Sequence, residues 1–440
     1  MPTTTKSRIP SNNGGTVAAS SNPGAKPGYK HTKLGWIPEE WEIKPLGKCV
    51  LADRRITYGI VQPGGYDPTG RYLVRGKDYS FGWAEPEAFF RVTPKIEEPY
   101  KRSRLKAGDT LLTIVGAGVG NVAVVPEWLE GANITQTTAR IAINPSQHEP
   151  AFFYHYLGSG MGLRLVHHFE KGGAQPGLNI EDINIFPIVC PPLPEQRRIA
   201  QVLGAWDRAI ATVQQLLAAQ QERKRGLMQE LLTGRRRFKG FEGKWKNYRL
   251  GELFERITRK NDVGDSHVMT ISAQHGLIDQ REIFNKSVAG ANLAAYYLLK
   301  KGEFAYNKSS SNGYPVGAIK RLERYEQGIL SVLYICFGLK PGAANGDFMA
   351  AYFDAGLMDE GIGAIAQEGA RNHGLLNVST SDFFDIDVHI PQAEEQAVIA
   401  KAIGVLNKET ESIQNYLDHL TTQKQGLMQQ LLTGAVRVKC

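Results

Sequence analysis

Cysteine is scarce in this 440-residue chain: Cys49, Cys190, Cys336 and Cys440 stand far apart and make neither a CxxC pair nor an even framework of short loops. Disulfides and structural zinc are therefore not expected. No apolar run approaches the length needed to cross a membrane. The opening stretch, MPTTTKSRIPSNNGGTVAASSNPGAKPG, has neither an apolar core nor a cleavage-type ending, so residues 1–30 read as a disordered polar tail and the protein as cytoplasmic. Marked catalytic motifs are missing as well: there is no GxSxG, no P-loop, no HExxH and no carboxylate pair set apart by its spacing. Asn312-Gly313-Tyr314-Pro315 has the wrong order for an amino-methyltransferase motif. GAGVGN (116–121) follows an apolar stretch, but Asn121 replaces the third glycine of a dinucleotide fingerprint and no helical pattern follows, so it reads as a tight hairpin. His167 and His168, adjacent on a helix near Glu170, point in different directions and find no third metal ligand at suitable spacing. The chain reads as non-catalytic and metal-free.

What is present is a moderately basic, globular composition: 42% hydrophobic residues and a formal charge of +8, with a pI near 9.1. Such a bias toward polyanions permits nucleic-acid binding without requiring it. The sharpest basic cluster, Arg235, Arg236, Arg237 and Lys239 followed by Lys244, Lys246 and Arg249, is either a phosphate contact or a solvated linker.

The organising feature is a repeat. The stretch from Pro191 to Phe238 returns from Pro391 onward at a shift of 200 residues, superposing Glu195 and Gln196 on Glu395 and Gln396, and GLMQELLTG (226–234) on GLMQQLLTG (426–434). In each copy apolar residues recur at alternating steps of four and three, through Ile199, Leu203, Trp206 and Ile210 in the first and Ile399, Ile403, Leu406 and Ile413 in the second. That spacing buries a narrow stripe against one partner helix, and the partner it points to is the other copy. Pro194 and Glu195 suit a helix start, Gly234 and Gly434 a helix stop.

The repeat extends beyond the helices. Trp41 stands five residues before Leu46-Gly47, and Trp245 five before Leu250-Gly251; LKAGD (105–109) answers LKKGE (299–303). Between the helices, short β-branched runs bounded by glycine and proline predict strands, followed in each half by a short helical stretch and a glycine-rich polar loop. The chain is thus predicted to be α+β, with two diverged β-rich domains and two long helices.

PLPEQRRIAQVL, the GLMQELLTG ending, and their return as EEQAVIAKAI and GLMQQLLTG resemble the paired conserved regions of the specificity (S) subunit of type I restriction-modification systems. The resemblance covers essentially everything after the tail. It implies two β-rich α/β target recognition domains, at 31–190 and 237–390, joined by two long antiparallel coiled-coil-like helices, at 191–236 and 391–440, with pseudo-twofold symmetry. It further implies a bipartite, asymmetric site on double-stranded DNA, two methyltransferase subunits docked on the helices, and restriction subunits completing the complex. S-adenosylmethionine, ATP and magnesium would then be used by the partners, and this chain would bind no cofactor.

Arg, Lys, Gln and Asn are the side chains that pair with purine edges in the major groove. The loops holding Arg75, Lys77, Lys171 and Gln175 in the first domain, and Lys308, Asn312, Arg371, Asn372 and His373 in the second, are the candidate DNA contacts. The competing reading is a coiled-coil scaffold whose two β-rich domains bind proteins.

Overall fold

The short runs of β-branched and apolar residues form strands of two to five residues, because residues of this kind pack well on a pleated, half-buried surface. The computed structural model describes residues 26–80, 82–172, 177–272, 276–283, 292–310, 313–368, 374 and 376–439. It divides into two units, Met1–Ala211 with Asp418–Cys440, and Thr212–Leu417. Each unit therefore holds one β-rich domain, the first part of the long helix that follows it, and the last part of the other long helix.

In the first unit, an antiparallel four-stranded sheet runs in the order Thr57–Tyr58, Thr138–Ile141, Thr110–Thr113, Val122–Val124. Thr110–Thr113 and Thr138–Ile141 are buried on both faces. This places Arg140 in the core, where its guanidinium donates to the carbonyls of Arg55 (2.9 Å) and Arg102 (3.0 Å) and burial lowers its pKa to about 10. A second sheet joins Phe90–Val92, Arg71–Val74 and Asn133–Ile134, the last two in parallel. Gly59 crosses Ile134 so closely that a Cβ would lie 1.8 Å from the Ile134 carbonyl oxygen, so only glycine fits there.

The second unit repeats the plan with the order Phe254–Arg256, Ile335–Leu339, Phe304–Asn307, Ala318–Arg321. Its core is strongly aromatic: Phe304 stacks on Phe337 with centroids 5.6 Å apart, and Tyr306 on Phe383 at 5.1 Å.

A two-stranded ladder leads from each domain into its long helix: Glu42–Pro45 with Pro187–Cys190, and Lys246–Arg249 with Asp387–Ile390. The repeated Leu-Gly pair has the same role in both. The amides of Leu46 and Leu250 donate to Phe186 O and Ile386 O, each at 2.9 Å. A Cβ on Gly47 would meet Asn184 Oδ1 at 2.5 Å, so the glycine permits a close chain crossing.

The long helices span Leu193–Leu232 and Ala393–Leu432, about 60 Å each at 1.5 Å per residue. Gly234 and Gly434 end them at φ 71° and 70°, the left-handed conformation that a terminating glycine adopts freely. Glu-Gln at the helix starts is structural. Gln196 donates to Pro191 O (2.7 Å) and accepts from the Glu149 amide (3.0 Å); Gln396 donates to Pro391 O (2.7 Å) and accepts from the Asn345 amide (2.7 Å).

The apolar stripe is not a helix-to-helix seam along its whole length. Ile199 and Leu203 are buried in the first domain's core beside Met428, Leu431 and Leu432, while Ile399 and Ile403 join the second domain's core beside Met228, Leu231 and Leu232. Leu406 is also buried, whereas Trp206, Ile210 and Ile413 are only half-buried. Among the described residues, no helix is long and apolar enough to cross a membrane.

Candidate nucleic-acid interface

The loops at one edge of the first unit's sheets enclose a cleft of about 520 Å³, and Arg75, Lys77, Ser80, Thr113, Gln136 and Thr137 are among the residues that line it. Arg75 leaves the end of strand Arg71–Val74 and is fixed at once. Its backbone amide (2.8 Å), Nε (3.1 Å) and a terminal nitrogen (3.0 Å) all donate to the buried Asp78 carboxylate, and the guanidinium lies 5.8 Å from the Phe90 ring. Lys77 is exposed at the rim and has no ion-pair partner among the described residues. Tyr79 and Thr113 share a 2.7 Å hydroxyl contact beneath the cleft, where burial raises the Tyr79 pKa.

The other wall is the turn between Asn133–Ile134 and Thr138–Ile141. The Gln136 amide donates to Ile60 O (2.9 Å), and the hydroxyls of Thr135 and Thr137 bond each other at 2.8 Å. This holds the backbone and leaves the Gln136 side chain exposed. Ala117 and Gly118 of the GAGVG turn close the rim. That stretch is a hairpin, as predicted, but not a tight one: residues 114–121 form the loop between Thr110–Thr113 and Val122–Val124, with Gly116 and Gly120 at φ 95° and 92°. None of the lining residues is acidic. Among the described residues the cleft thus offers one cation without an ion-pair partner, a side-chain amide able to donate and accept, several hydroxyls, and no negative charge to repel a phosphate.

In the second unit the turn that corresponds to 135–138 is 331–334, between Gln327–Leu330 and Ile335–Leu339. It carries Val332 and Leu333 where the first unit has Gln136 and Thr137, and both are exposed, at 49% and 64%. Apolar side chains on a turn that carries polar ones in its twin can contact thymine methyl groups but cannot read a purine edge.

Residues 38–219 match the family described as "Type I restriction modification DNA specificity domain". The type I restriction enzyme EcoBI specificity subunit of Escherichia coli is 30% identical over 186 residues, covering 41% of this chain and 39% of that protein. The putative type I restriction enzyme MjaX specificity subunit of Methanocaldococcus jannaschii is 24% identical over 441 residues, covering 93% of this chain and 97% of that one. Residues 38–219 thus carry the likeness to a type I DNA specificity domain, and the chain over most of its length is similar to type I specificity subunits. The fold agrees: the crystal structure of the type I S subunit from M. genitalium superposes with a TM-score of 0.51 at 14% identity, over 89% of this chain and 96% of that one.

The remaining candidates on this chain are placed unevenly. Lys171 is exposed but ion-paired with Asp182 at 2.8 Å, and this hydrogen bond lowers the Asp182 pKa. Lys308 follows strand Phe304–Asn307, half-buried, with no side-chain partner among the described residues. Gln175, Asn312, Arg371, Asn372 and His373 lie outside the described residues. His167 and His168 are both exposed, and His167 Nδ1 is 3.3 Å from Glu170. The basic run after the first helix is partly structural: Arg237 is bidentate to Glu395 (2.8 and 2.7 Å) and Arg236 reaches Glu230 at 3.5 Å, leaving Arg235 and Lys239 exposed. Gln136 and the 331–334 turn were not singled out from the sequence. The available signal was the hydroxyl-rich ITQTT run, a turn between two strands.

Proposed function

We propose that this chain reads duplex DNA for a type I restriction-modification complex, each β-rich domain taking one half of a bipartite, asymmetric site. The observation that carries this reading is the pair of equivalent turns: one fold, used twice, presents Gln136 and Thr137 in one unit and Val332 and Leu333 in the other. Two readers of different chemistry require two different half-sites. The target recognition domains are taken as 31–190 and 237–390. The long helices are read as an antiparallel, pseudo-twofold pair that sets the spacer between half-sites. Support comes from each unit seating the start of one helix beside the end of the other.

The proposal assigns methyl transfer to two methyltransferase subunits docked on the helices, and ATP-dependent cleavage to restriction subunits. S-adenosylmethionine, ATP and magnesium would all be bound by those partners. Exposed apolar residues on the helices, Val398, Val405, Leu216 and Tyr416, are the kind of surface such docking would cover.

The test is methylation mapping by single-molecule sequencing in a host carrying this chain with its methyltransferase subunit, against a host carrying the methyltransferase alone. The expected result is a new motif of two unlike half-sites separated by a fixed spacer. An assembled complex that leaves no new motif would overturn the reading and favour a protein-binding scaffold.

A further inference from the structure

Three polar side chains meet in the core of the first unit, away from the proposed DNA cleft. Cys49, His148 and Cys190 are all buried, and one ligand atom from each lies within 4.8 Å of the others. Cys49 closes the short turn after Leu46, and its carbonyl accepts from the Asn144 amide at 2.9 Å. Cys190 ends the strand that leads into the first long helix, directly across the ladder from Glu42. His148 precedes helix Pro150–Leu157 and packs edge-on against Phe153, centroids 5.3 Å apart. Its Nδ1 is 3.4 Å from Gln196 Nε2, too long a contact to fix the ring's tautomer.

The duplication shows that the fold does not need these groups. Leu46 and Leu250 make the same backbone bond, so Cys49 corresponds to Leu253. Gln196 and Gln396 accept from the amides of Glu149 and Asn345, so His148 corresponds to Ala344. Gln196 and Gln396 also donate to Pro191 O and Pro391 O, so Cys190 corresponds to Ile390. Leu253 and Ile390 lie in the apolar core of the second unit, and Ala344 packs half-buried against it. A lone cysteine in a core is merely a small hydrophobe, but two thiols and an imidazole converging where the twin has three aliphatic side chains form a donor set.

We propose that Cys49, His148 and Cys190 bind a zinc(II) ion that ties the ladder, the Leu46 turn and the start of helix Pro150–Leu157 together. Zinc–sulfur bonds of about 2.3 Å and zinc–nitrogen bonds of about 2.0 Å place neighbouring ligand atoms roughly 3.5–4 Å apart, so side-chain adjustments of about an ångström suffice. On binding, two Zn–S bonds form as two S–H bonds break. Both protons go to solvent, and two thiolates balance the charge of the ion in its buried site. Three protein ligands with one position open to water is a recurrent zinc arrangement, and Glu42, exposed opposite Cys190, marks the side nearest solvent.

The test uses the full chain expressed with zinc and purified under reducing conditions. Bound metal is measured after dialysis against a mild chelator, and a cobalt(II)-exchanged sample is examined for thiolate-to-cobalt charge transfer. The expected result is about one zinc per chain, a cobalt–thiolate band that weakens in Cys190→Ser, and loss of both in the triple variant Cys49→Leu, His148→Ala, Cys190→Ile. The triple variant copies the second unit's core and should fold without metal. A stronger chelator should lower the melting temperature of the wild type and not that of the triple variant. Reduced wild-type protein that takes up no added zinc, a triple variant with unchanged metal content, or a Cys49–Cys190 disulfide in freshly isolated protein would each overturn the proposal.

Discussion

Arg437 and Glu195, 242 residues apart, form a bidentate ion pair at 2.6 and 2.8 Å, and the same carboxylate accepts from Trp41 Nε1 at 2.9 Å. The end of one long helix is thereby tied to the start of the other within the first unit. Hydrogen bonding to Glu195 raises the Arg437 pKa far above its ordinary value. The second unit repeats the tie with Arg237 and Glu395, but there Trp245 Nε1 is buried without a hydrogen-bond partner among the described residues. Glu195 is almost wholly buried, so removing the arginine strands a carboxylate in the core. Breaking a buried pair in this way costs about 3–5 kcal/mol, and the partial exposure of Arg437 trims the expected loss for Arg437→Ala to about 2–3 kcal/mol. Urea unfolding, with hydrogen exchange to locate the change in the first unit, measures it. A double variant with Glu195→Gln should recover part of the loss, and strictly additive losses would show that the two residues are not coupled.

His155 gives the first unit a pH dependence. It is buried, its Nδ1 has no hydrogen bond among the described residues, and it lies 3.7 Å from Asp207, whose other oxygen receives Lys424. Burial lowers its pKa to about 4; Asp207 opposes that shift and Lys424 reinforces it. The folded pKa lies below the unfolded value of about 6.5, so the unfolded chain binds the extra proton first as pH falls. The contribution to stability is complete above about pH 6.5 and is lost progressively between there and about pH 4. Comparing unfolding free energies at pH 7 and pH 5, the wild type should lose about 2 kcal/mol more than His155→Phe. Equal losses would remove His155 as the cause.

Lys224 and Lys424 occupy the same place in the two repeats but face different neighbours. Lys424 is paired with Asp207, whereas Lys224 lines a cleft of about 870 Å³ that it shares with Asn407, the counterpart of Asp207. Burial lowers the Lys224 pKa. Asn407→Asp should supply the missing carboxylate, raising stability of the second unit by about 0.5–1 kcal/mol, and Asp207→Asn should lower that of the first by a similar amount. Opposite shifts of the two urea midpoints are the outcome to look for. A destabilising Asn407→Asp would mean that the cleft cannot accommodate the charge.

Much of this architecture was readable because duplication marks it. Glu195 with Glu395, Gln196 with Gln396, and Gly234 with Gly434 recur, and each has a fixed structural task. The apolar spacing was less decisive. Ile199 and Leu203 keep the same stripe whether a helix or a domain core covers it, so periodicity alone could not show that both helix ends are built into the domains. Arg237 read as one of a basic run because its partner Glu395 is distant in sequence, although the 200-residue shift also aligns it with Arg437. Cys49, His148 and Cys190 gave no signal, since short-range spacing is what betrays most metal sites and the fold alone brings these three together.

Anchoring and reading are separable in the first unit. Lys77 is exposed at the rim of the cleft with no ion-pair partner among the described residues, and Gln136 presents its exposed amide on the opposite wall. Lys77→Ala should weaken binding of the assembled methyltransferase complex to cognate and scrambled duplexes alike, and should reduce the slope of log affinity against log salt by about one. Gln136→Ala should leave that slope unchanged and cost about 1–3 kcal/mol on the cognate half-site alone, because a bidentate amide-to-adenine contact distinguishes bases without neutralising phosphate. Arg75→Ala should behave differently again, since the Asp78 carboxylate it releases is buried: the loop should loosen and the unit lose stability before any DNA is added. Salt titrations with matched duplexes, alongside unfolding curves, distinguish the three. If Gln136→Ala left half-site preference intact, base reading would have to come from elsewhere on the domain, and the Gln136 turn would be scaffold.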